Sequence, residues 1–283
     1  MKVLLTGATG TIGSAVLRAL LAEGDEVTAL VRSHASADAV SAAGATPLIG
    51  TMTDADVVGA AAAASDGVIH VASPGDETSA ATEGAFVDTV LGALEGTDIP
   101  FVTTGGVWVF GNGADLTEQS PWNPAALTAW RGEVEDRVRA SSVQTTIIAP
   151  ALVYGPGGTG IPSLLLPDAE GNVRLVGDGH QHWSTVNVDD LADLYVLALK
   201  KGADDAYYLG SSGQCPTVLE IAAATAHGAT IVPETIEESQ GRFGVYFADA
   251  LLLDQQASGA AARRDLGWAP HRPSLISELE TRV

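Results

Sequence analysis

Basic residues are scarce in this chain. Its 283 residues include 14 Lys and Arg against 35 Asp and Glu, a formal net charge of −21. A surface this acidic repels phosphate backbones and anionic headgroups, which excludes nucleic acid and membrane surfaces as partners. Cysteine is nearly missing as well. Cys215 stands alone, so no intramolecular disulfide can form, and a reducing compartment is implied. It precedes Pro216 in an expected loop with no base beside it, and reads as structural rather than nucleophilic. Long apolar runs are absent too: none approaches the roughly 20 residues of a membrane span. The opening MKVLLTGATG turns polar and glycine-rich too early for a signal peptide. A cytoplasmic protein is expected. Metal-ligand spacing is also lacking. His180-Gln181-His182 is the one close histidine pair and has no cysteine or paired carboxylates nearby, so these read as loop residues and no metal is expected. No Gly-x-Ser-x-Gly elbow occurs, so a serine triad is unsupported.

What the chain does have is apolar bulk. Hydrophobic residues make up 46% and charged residues 17%, enough for a substantial core. Short β-like runs fall at Val3–Leu5, Glu26–Val31, Pro47–Ile49, Gly67–Ala72, Pro100–Thr104 and Thr145–Ala149. Segments of helical period lie between them, over residues 12–23, 54–64, 76–95 and 124–140. This alternation predicts an α/β fold with a Rossmann-type doubly wound parallel sheet. Beyond residue 150 the pattern loosens. Pro and Gly cluster over 155–162, followed by a helix at Asp189–Lys200, a short strand at Ala206–Leu209 and a helix from Thr217. The expected organisation is a dinucleotide-binding domain over 1–150. A small C-terminal substrate-binding lobe over 151–283 is partly interleaved with the sheet.

The strongest motif is Thr6-Gly7-Ala8-Thr9-Gly10-Thr11-Ile12-Gly13, which follows the first strand and opens the first helix. Gly7 permits the tight turn, Gly10 lets the backbone approach a pyrophosphate, and Gly13 lets the helix pack close to the sheet. Thr9, Thr11 and Ile12 complete a turn whose backbone N–H groups sit at the positive end of a helix dipole.

The Gly-x-x-Gly-x-x-Gly spacing resembles the short-chain dehydrogenase/reductase superfamily, in its extended and atypical branches, which bind NAD(P) on a Rossmann fold. The resemblance covers most of the chain. Gly67-Val68-Ile69-His70-Val71-Ala72 looks like that family's fourth strand, which implies that Val71 and Ala72 lie under the cofactor. Pro150-Ala151-Leu152-Val153-Tyr154-Gly155-Pro156 looks like its PxxVYGP segment, which implies that Pro150, Leu152 and Val153 line the nicotinamide. In that setting Tyr154 reads as structural or cofactor-lining. Residues Trp183 to Ala192 and Leu266-Gly267-Trp268-Ala269-Pro270 resemble segments of epimerase/dehydratase-like members. Asp189-Asp190 reads as a helix N-cap rather than a catalytic pair.

Cofactor choice is read from the second strand, which ends Val31-Arg32-Ser33 with no carboxylate for a ribose 2′-hydroxyl. Arg32 can pair with a 2′-phosphate and Ser33 can add a hydrogen bond, so NADP(H) is expected over NAD(H). After the third strand, Thr51 stands where the family carries an acidic residue, with Met52 beside it as the adenine-side contact.

Reductases of the superfamily use a Ser or Thr at the fifth strand and a Tyr-x-x-x-Lys on the next helix. Here Gly105 or Gly106 stands at the usual serine position, and Thr103 and Thr104 are the nearest hydroxyls. In LTAWRGEVE, Leu127 falls at the tyrosine position and Arg131 at the lysine position, and no tyrosine occurs before Tyr154. Thr104 and Arg131 are therefore the catalytic candidates, with Thr103 and Arg131 also on the cofactor side. An arginine cannot readily release its proton. Arg131 reads either as a cofactor- or anion-binding cation or as a surface residue paired with Glu135 four positions on. Trp108 and Trp130 fit a pocket wall or the core equally. Three functions remain open: an NADP(H)-dependent oxidoreductase on a small carbonyl or hydroxyl compound, an epimerase or dehydratase on a nucleotide sugar, and a redox-silent NADP-binding sensor. The partner is a small molecule, and the protein is a monomer or homodimer.

Overall fold

The computed structural model describes residues 1–155 and 160–281. Pro156 of the predicted 150–156 segment, and residues 156–159 of the Pro/Gly-rich stretch, lie outside the described residues. In chain order the elements begin β1 (Lys2–Thr6), α1 (Thr11–Ala22), β2 (Glu26–Val31), α2 (His34–Ala42), β3 (Thr46–Ile49), α3 (Ala55–Ala63), β4 (Gly67–His70), α4 (Ser79–Leu94), β5 (Phe101–Thr104), β6 (Gly113–Leu116) and α5 (Arg131–Arg139). They continue with β7 (Thr145–Pro150), β8 (Leu152–Tyr154), β9 (Asn172–Arg174), β10 (Thr185–Asn187), α6 (Val188–Lys201), β11 (Ala206–Gly210), α7 (Val218–Ala226), β12 (Thr230–Val232), α8 (Ile236–Phe243), α9 (Val245–Leu251), β13 (Gln255–Ala257), α10 (Ala260–Leu266) and α11 (Leu275–Glu280). Two compact units result. The first comprises residues 1–105, 130–148 and 191–208; the second comprises 106–129, 149–190 and 209–283.

The predicted doubly wound sheet forms, with seven strands in the order β3-β2-β1-β4-β5-β7-β11. The pairs from β3 through to β7 are all parallel. Strands β1, β4, β5 and β7 read as near-continuous apolar runs because helices cover both faces, and Val3, Leu4, Leu5, Val68, Ile69, Phe101 and Val102 are fully buried. The short strand predicted near residue 206 joins this sheet as its edge. Two helical expectations need correction. Helix α2 was not foreseen, because only Ala37 and Val40 of HASADAVSA are buried and the apolar period is faint. The helix expected over 124–140 begins only at Arg131, and residues 126–128 form a separate 3-10 turn. Leu127 and Arg131 therefore do not share one helix face.

The order of connections reverses between β1 and β4, the position at which open α/β sheets bind ligands. Helix α1 closes on β1 there. A Cβ added to Gly13 would stand 1.9 Å from the Gly7 carbonyl oxygen, so only glycine allows this approach. Val16, Leu17 and Leu20 bury the inner face of α1, each contributing about 1.5–3 kcal/mol.

The second unit carries three two-stranded parallel pairs, β8 with β10, β9 with β12 and β6 with β13. Two buried tryptophans anchor it. Trp183 Nε1 donates to the Leu251 carbonyl at 2.8 Å, and Trp268 Nε1 to the Asp190 carbonyl at 2.7 Å. Helices α7 and α8 each open on a capping box, Thr217 with Glu220 and Thr235 with Glu238. Helix α6 is capped by Asn187, whose side-chain oxygen accepts from the Asp189 N–H at 2.9 Å, so the expected Asp189-Asp190 pair lies in the first turn instead. No described helix is long and apolar enough to cross a membrane.

Gly13→Ala is expected to destabilise the fold by about 3 kcal/mol or more, since the clashing atoms are backbone and cannot rotate away. Urea unfolding of the variant beside the parent measures this. An unchanged midpoint would contradict the close approach.

Candidate active site

The turn after β1 has the form its glycines require. Gly7 takes a φ of 73°, and a Cβ there would come within 2.9 Å of the Ala72 nitrogen. Gly10 caps α1 without any side-chain cap, and a Cβ on it would meet only the Gly7 oxygen, at 3.3 Å. Helix geometry leaves the first-turn N–H groups of Thr11, Ile12 and Gly13 without intrahelical acceptors. The space beyond Gly10, the uncapped N–H groups and the dipole end fit a pyrophosphate. Thr9 and Thr11 are exposed at this rim.

Arg32 follows β2 and is exposed, and its charge reaches Asp76. Ser33 is otherwise employed: its hydroxyl caps α2, accepting from the Ser36 N–H at 3.2 Å. The Thr51 N–H donates to the Asp54 carboxylate at 2.6 Å, and Met52 packs against the apolar core. Pro150, Leu152 and Val153 belong to the second unit, where Leu152 and Val153 pair with Thr185 and Val186. Tyr154, in the same strand, donates its phenol proton to the Pro273 carbonyl at 2.7 Å, a structural tie.

In the first unit a buried polar network joins β1, β4, β5, α4, α5 and α6. The Thr6 hydroxyl accepts the N–H groups of Val71 and Ala72, each at 3.3 Å, and lies 2.7 Å from His70 Nδ1. The His70 ring is fully buried, stacks on Phe86 at 4.2 Å, and has its pKa lowered to about 3, by burial first and then by the Arg131 charge. Thr103 is buried on β5. Thr104 Oγ1 donates to the His70 carbonyl at 2.7 Å and lies 2.7 Å from the Tyr195 phenol. Its one proton is committed to that carbonyl, so the phenol is the donor between the two hydroxyls.

Arg131 opens α5. Its Nη1 donates to the Thr104 carbonyl at 3.0 Å and lies 3.7 Å from Glu83 Oε2, while the guanidinium sits 4.5 Å from the Trp130 ring centre. The pair considered with Glu135 is thus not its ion-pair contact. Glu135 turns inward and is 3% exposed, and neither of its oxygens meets hydrogen-bond geometry. A Cβ on Gly105 would lie 2.8 Å from Glu135 Oε1, so this carboxyl fills the space that a side chain at 105 would need. Burial raises the Glu135 pKa to about 7, against the opposing charges of Arg131 and Arg139 and the neighbouring Tyr207 phenol.

Glu83, His70 and Tyr195 escaped the sequence reading. Glu83 left a signal: with Phe86, Val87, Val90 and Leu94 it lies on the buried stripe of α4, a charge on an apolar face.

Residues 3–210 match the family model for the NAD dependent epimerase/dehydratase family. The chain belongs to that family. It is 32% identical to an uncharacterized protein of Schizosaccharomyces pombe, with 99% of this chain and 98% of that protein covered. It is 29% identical to a 2-alkyl-3-oxoalkanoate reductase of Stenotrophomonas maltophilia, with 95% of each covered. Among solved structures, UDP-glucose 4-epimerase from Thermotoga maritima superposes with a TM-score of 0.77 at 21% identity, covering 99% of this chain and 96% of that one. Such structural likeness at low identity is a likeness of fold. Family membership makes the chain an NAD(P)-dependent oxidoreductase-type protein, consistent with the glycine cradle at α1.

The raised Glu135 pKa has a consequence for stability. The folded state holds the carboxyl proton up to about pH 7, whereas the unfolded chain loses it near 4.5. The stabilisation is complete below 4.5 and is lost as pH rises through 7, on the order of 3 kcal/mol in all. Glu135→Gln is therefore expected to lose less stability than the parent between pH 5 and pH 8 in urea unfolding. Parallel pH profiles would show that the carboxyl is not held protonated.

Proposed function

We propose that this protein is an NADP(H)-dependent oxidoreductase acting on a small carbonyl or hydroxyl compound. The observation that carries the reading is the glycine cradle, where Gly7 and Gly13 close the turn and Gly10 leaves the α1 N-terminus open for a pyrophosphate. Exposed Arg32 after β2, with no carboxylate at the strand end, supports a 2′-phosphate and hence NADP(H). The cofactor, when bound, supplies or accepts the hydride. Thr9, Thr11, Ile12 and Gly13 would hold its phosphates, and Val71, Ala72 and Thr103 would border it. Thr51 and Met52 remain the adenine-side candidates.

Arg131 supplies the positive charge at the reacting end, available to a ribose hydroxyl or a substrate oxygen. Thr104 orients that end through its carbonyl contact to Arg131, its hydroxyl proton being already engaged. The similarity to a 2-alkyl-3-oxoalkanoate reductase supports a ketone or its alcohol as the substrate class. One observation favours a second reading, a redox-silent NADP-binding sensor: no tyrosine lies on α5 and the nearest hydroxyl is committed.

Titration of tryptophan fluorescence is expected to give NADPH a dissociation constant at least tenfold below that of NADH, an order set by one charged phosphate contact. Arg32→Ala should erase most of that preference while leaving NADH binding unchanged. A preference for NADH would falsify the cofactor assignment. Oxidation of NADPH by a panel of aldehydes and ketones, followed as loss of reduced-nicotinamide absorbance, tests the reaction. Tight binding without turnover across the panel would favour the sensor.

A further inference from the structure

The proton on His70 can be located from its surroundings. Thr6 Oγ1 accepts from the N–H groups of Val71 and Ala72, which fills its two acceptor positions. Its own hydrogen must then go to His70 Nδ1, 2.7 Å away. Nδ1 is bare, so the ring hydrogen sits on Nε2. That atom is buried without a hydrogen-bond partner, and Glu83 Oε2 lies 3.9 Å from it. The same Glu83 oxygen lies 3.7 Å from Arg131 Nη1. Glu83 is 3% exposed, its Oε1 has no hydrogen-bond partner, and the Ser73 hydroxyl is a further neighbour of the carboxyl. A carboxyl buried this deeply on an apolar helix face is costly unless positive groups surround it. Here two such groups converge on one oxygen, a guanidinium and the positive end of a neutral imidazole.

We infer that Glu83 is a positioning residue: with His70 fixed by Thr6, it holds the Arg131 guanidinium against the Thr104 carbonyl. A continuous line of contacts then runs from the residue preceding Gly7 of the phosphate-binding turn to the cation that opens α5. The inference rests on the reading of Arg131 as the cofactor- or substrate-side cation only for its functional effect; the positioning itself stands on these contacts. His70 serves as a spacer of fixed polarity. Protonating it would place a second positive charge beside Arg131, and its buried site opposes that.

Three measurements test this. Long-range proton–nitrogen spectra of nitrogen-labelled protein should show the His70 ring hydrogen on Nε2 and no ring titration from pH 8 to pH 5. A hydrogen on Nδ1, or titration near pH 6, overturns the relay. The Arg131 guanidinium resonance, without cofactor, should be resolved in the parent and broadened in Glu83→Gln; an unchanged resonance overturns the positioning. NADPH affinity closes the cycle. Glu83→Gln and Arg131→Gln should each weaken binding about tenfold, and the double variant no further than the weaker single one. Multiplying effects overturn the coupling. If Arg131→Gln binds NADPH as the parent does, the functional role of Arg131 fails, while the two spectroscopic results still decide the positioning. Should Glu83→Gln fail to fold, Glu83→Asp takes its place. Its shorter side chain should reproduce the broadening in part, and a parent-like resonance there would likewise count against the proposal.

Discussion

The contact between Gly13 and the Gly7 carbonyl governs the first unit. Two backbones meet at a distance that admits no Cβ, and this seats α1 on the carboxyl end of β1. Because the helix starts there uncapped, its unpaired N–H groups face outward at the reversal of the sheet. The same approach brings the turn against Ala72, whose N–H, with that of Val71, goes to the Thr6 hydroxyl. A constraint between two glycines thereby sets the hydrogen-bond geometry at the end of β4, and through His70 that of the polar network behind it. A phosphate-binding turn and a buried network are two results of one packing event.

That network is unusual in its charge balance. Glu83 and Glu135, both buried carboxyls, flank the region of Arg131, and burial pushes the pKa of each upward while Arg131 opposes the rise. In a chain with 14 basic residues, an arginine only partly exposed and shared between a carboxylate, a carbonyl and an indole face is not there for solubility. Desolvation would make such a cation unfavourable if its partners were mobile. Here the partners come from different elements, α4 and β5, so the guanidinium has little room to relax. If Arg131 serves as the proposed ligand-side cation, preorganisation of this kind makes its charge effective toward a ligand oxygen, since little reorganisation remains when the ligand arrives.

The backbone features were the most legible in the sequence. The glycine spacing at 7, 10 and 13 announces its own geometry, and strands buried on both faces announce themselves as apolar runs. Side-chain alliances were less legible because they join residues distant along the chain. Ser33 was expected to add a hydrogen bond to a 2′-phosphate, and in the structure its hydroxyl also caps α2, a role open to any serine at a helix start. Arg131 looked like the partner of Glu135 by the four-residue rule. Helix α5 begins at Arg131 itself, so its side chain is free to turn toward α4, and Glu135 turns to the sheet. Gly105 or Gly106 was expected at the usual serine position. In the structure the bare Cα of Gly105 accommodates the Glu135 carboxyl.

The tyrosines bear on where a proton at the reacting end comes from. A phenol that shuttles protons near neutrality needs its pKa lowered, usually by a nearby cation. Burial moves Tyr154, Tyr195 and Tyr207 the other way. Tyr154 is bound to the Pro273 carbonyl and Tyr195 to the Thr104 hydroxyl. For Tyr195 the Arg131 charge does pull downward, but desolvation outweighs it. None of the three is tuned to release a proton, and the Tyr154 and Tyr195 phenols tie elements together. On the proposed reading, these three phenols are not the proton donor. Among the buried oxygen acids in the first unit, the Glu135 carboxyl, held beside the end of β5, has its pKa raised to about 7.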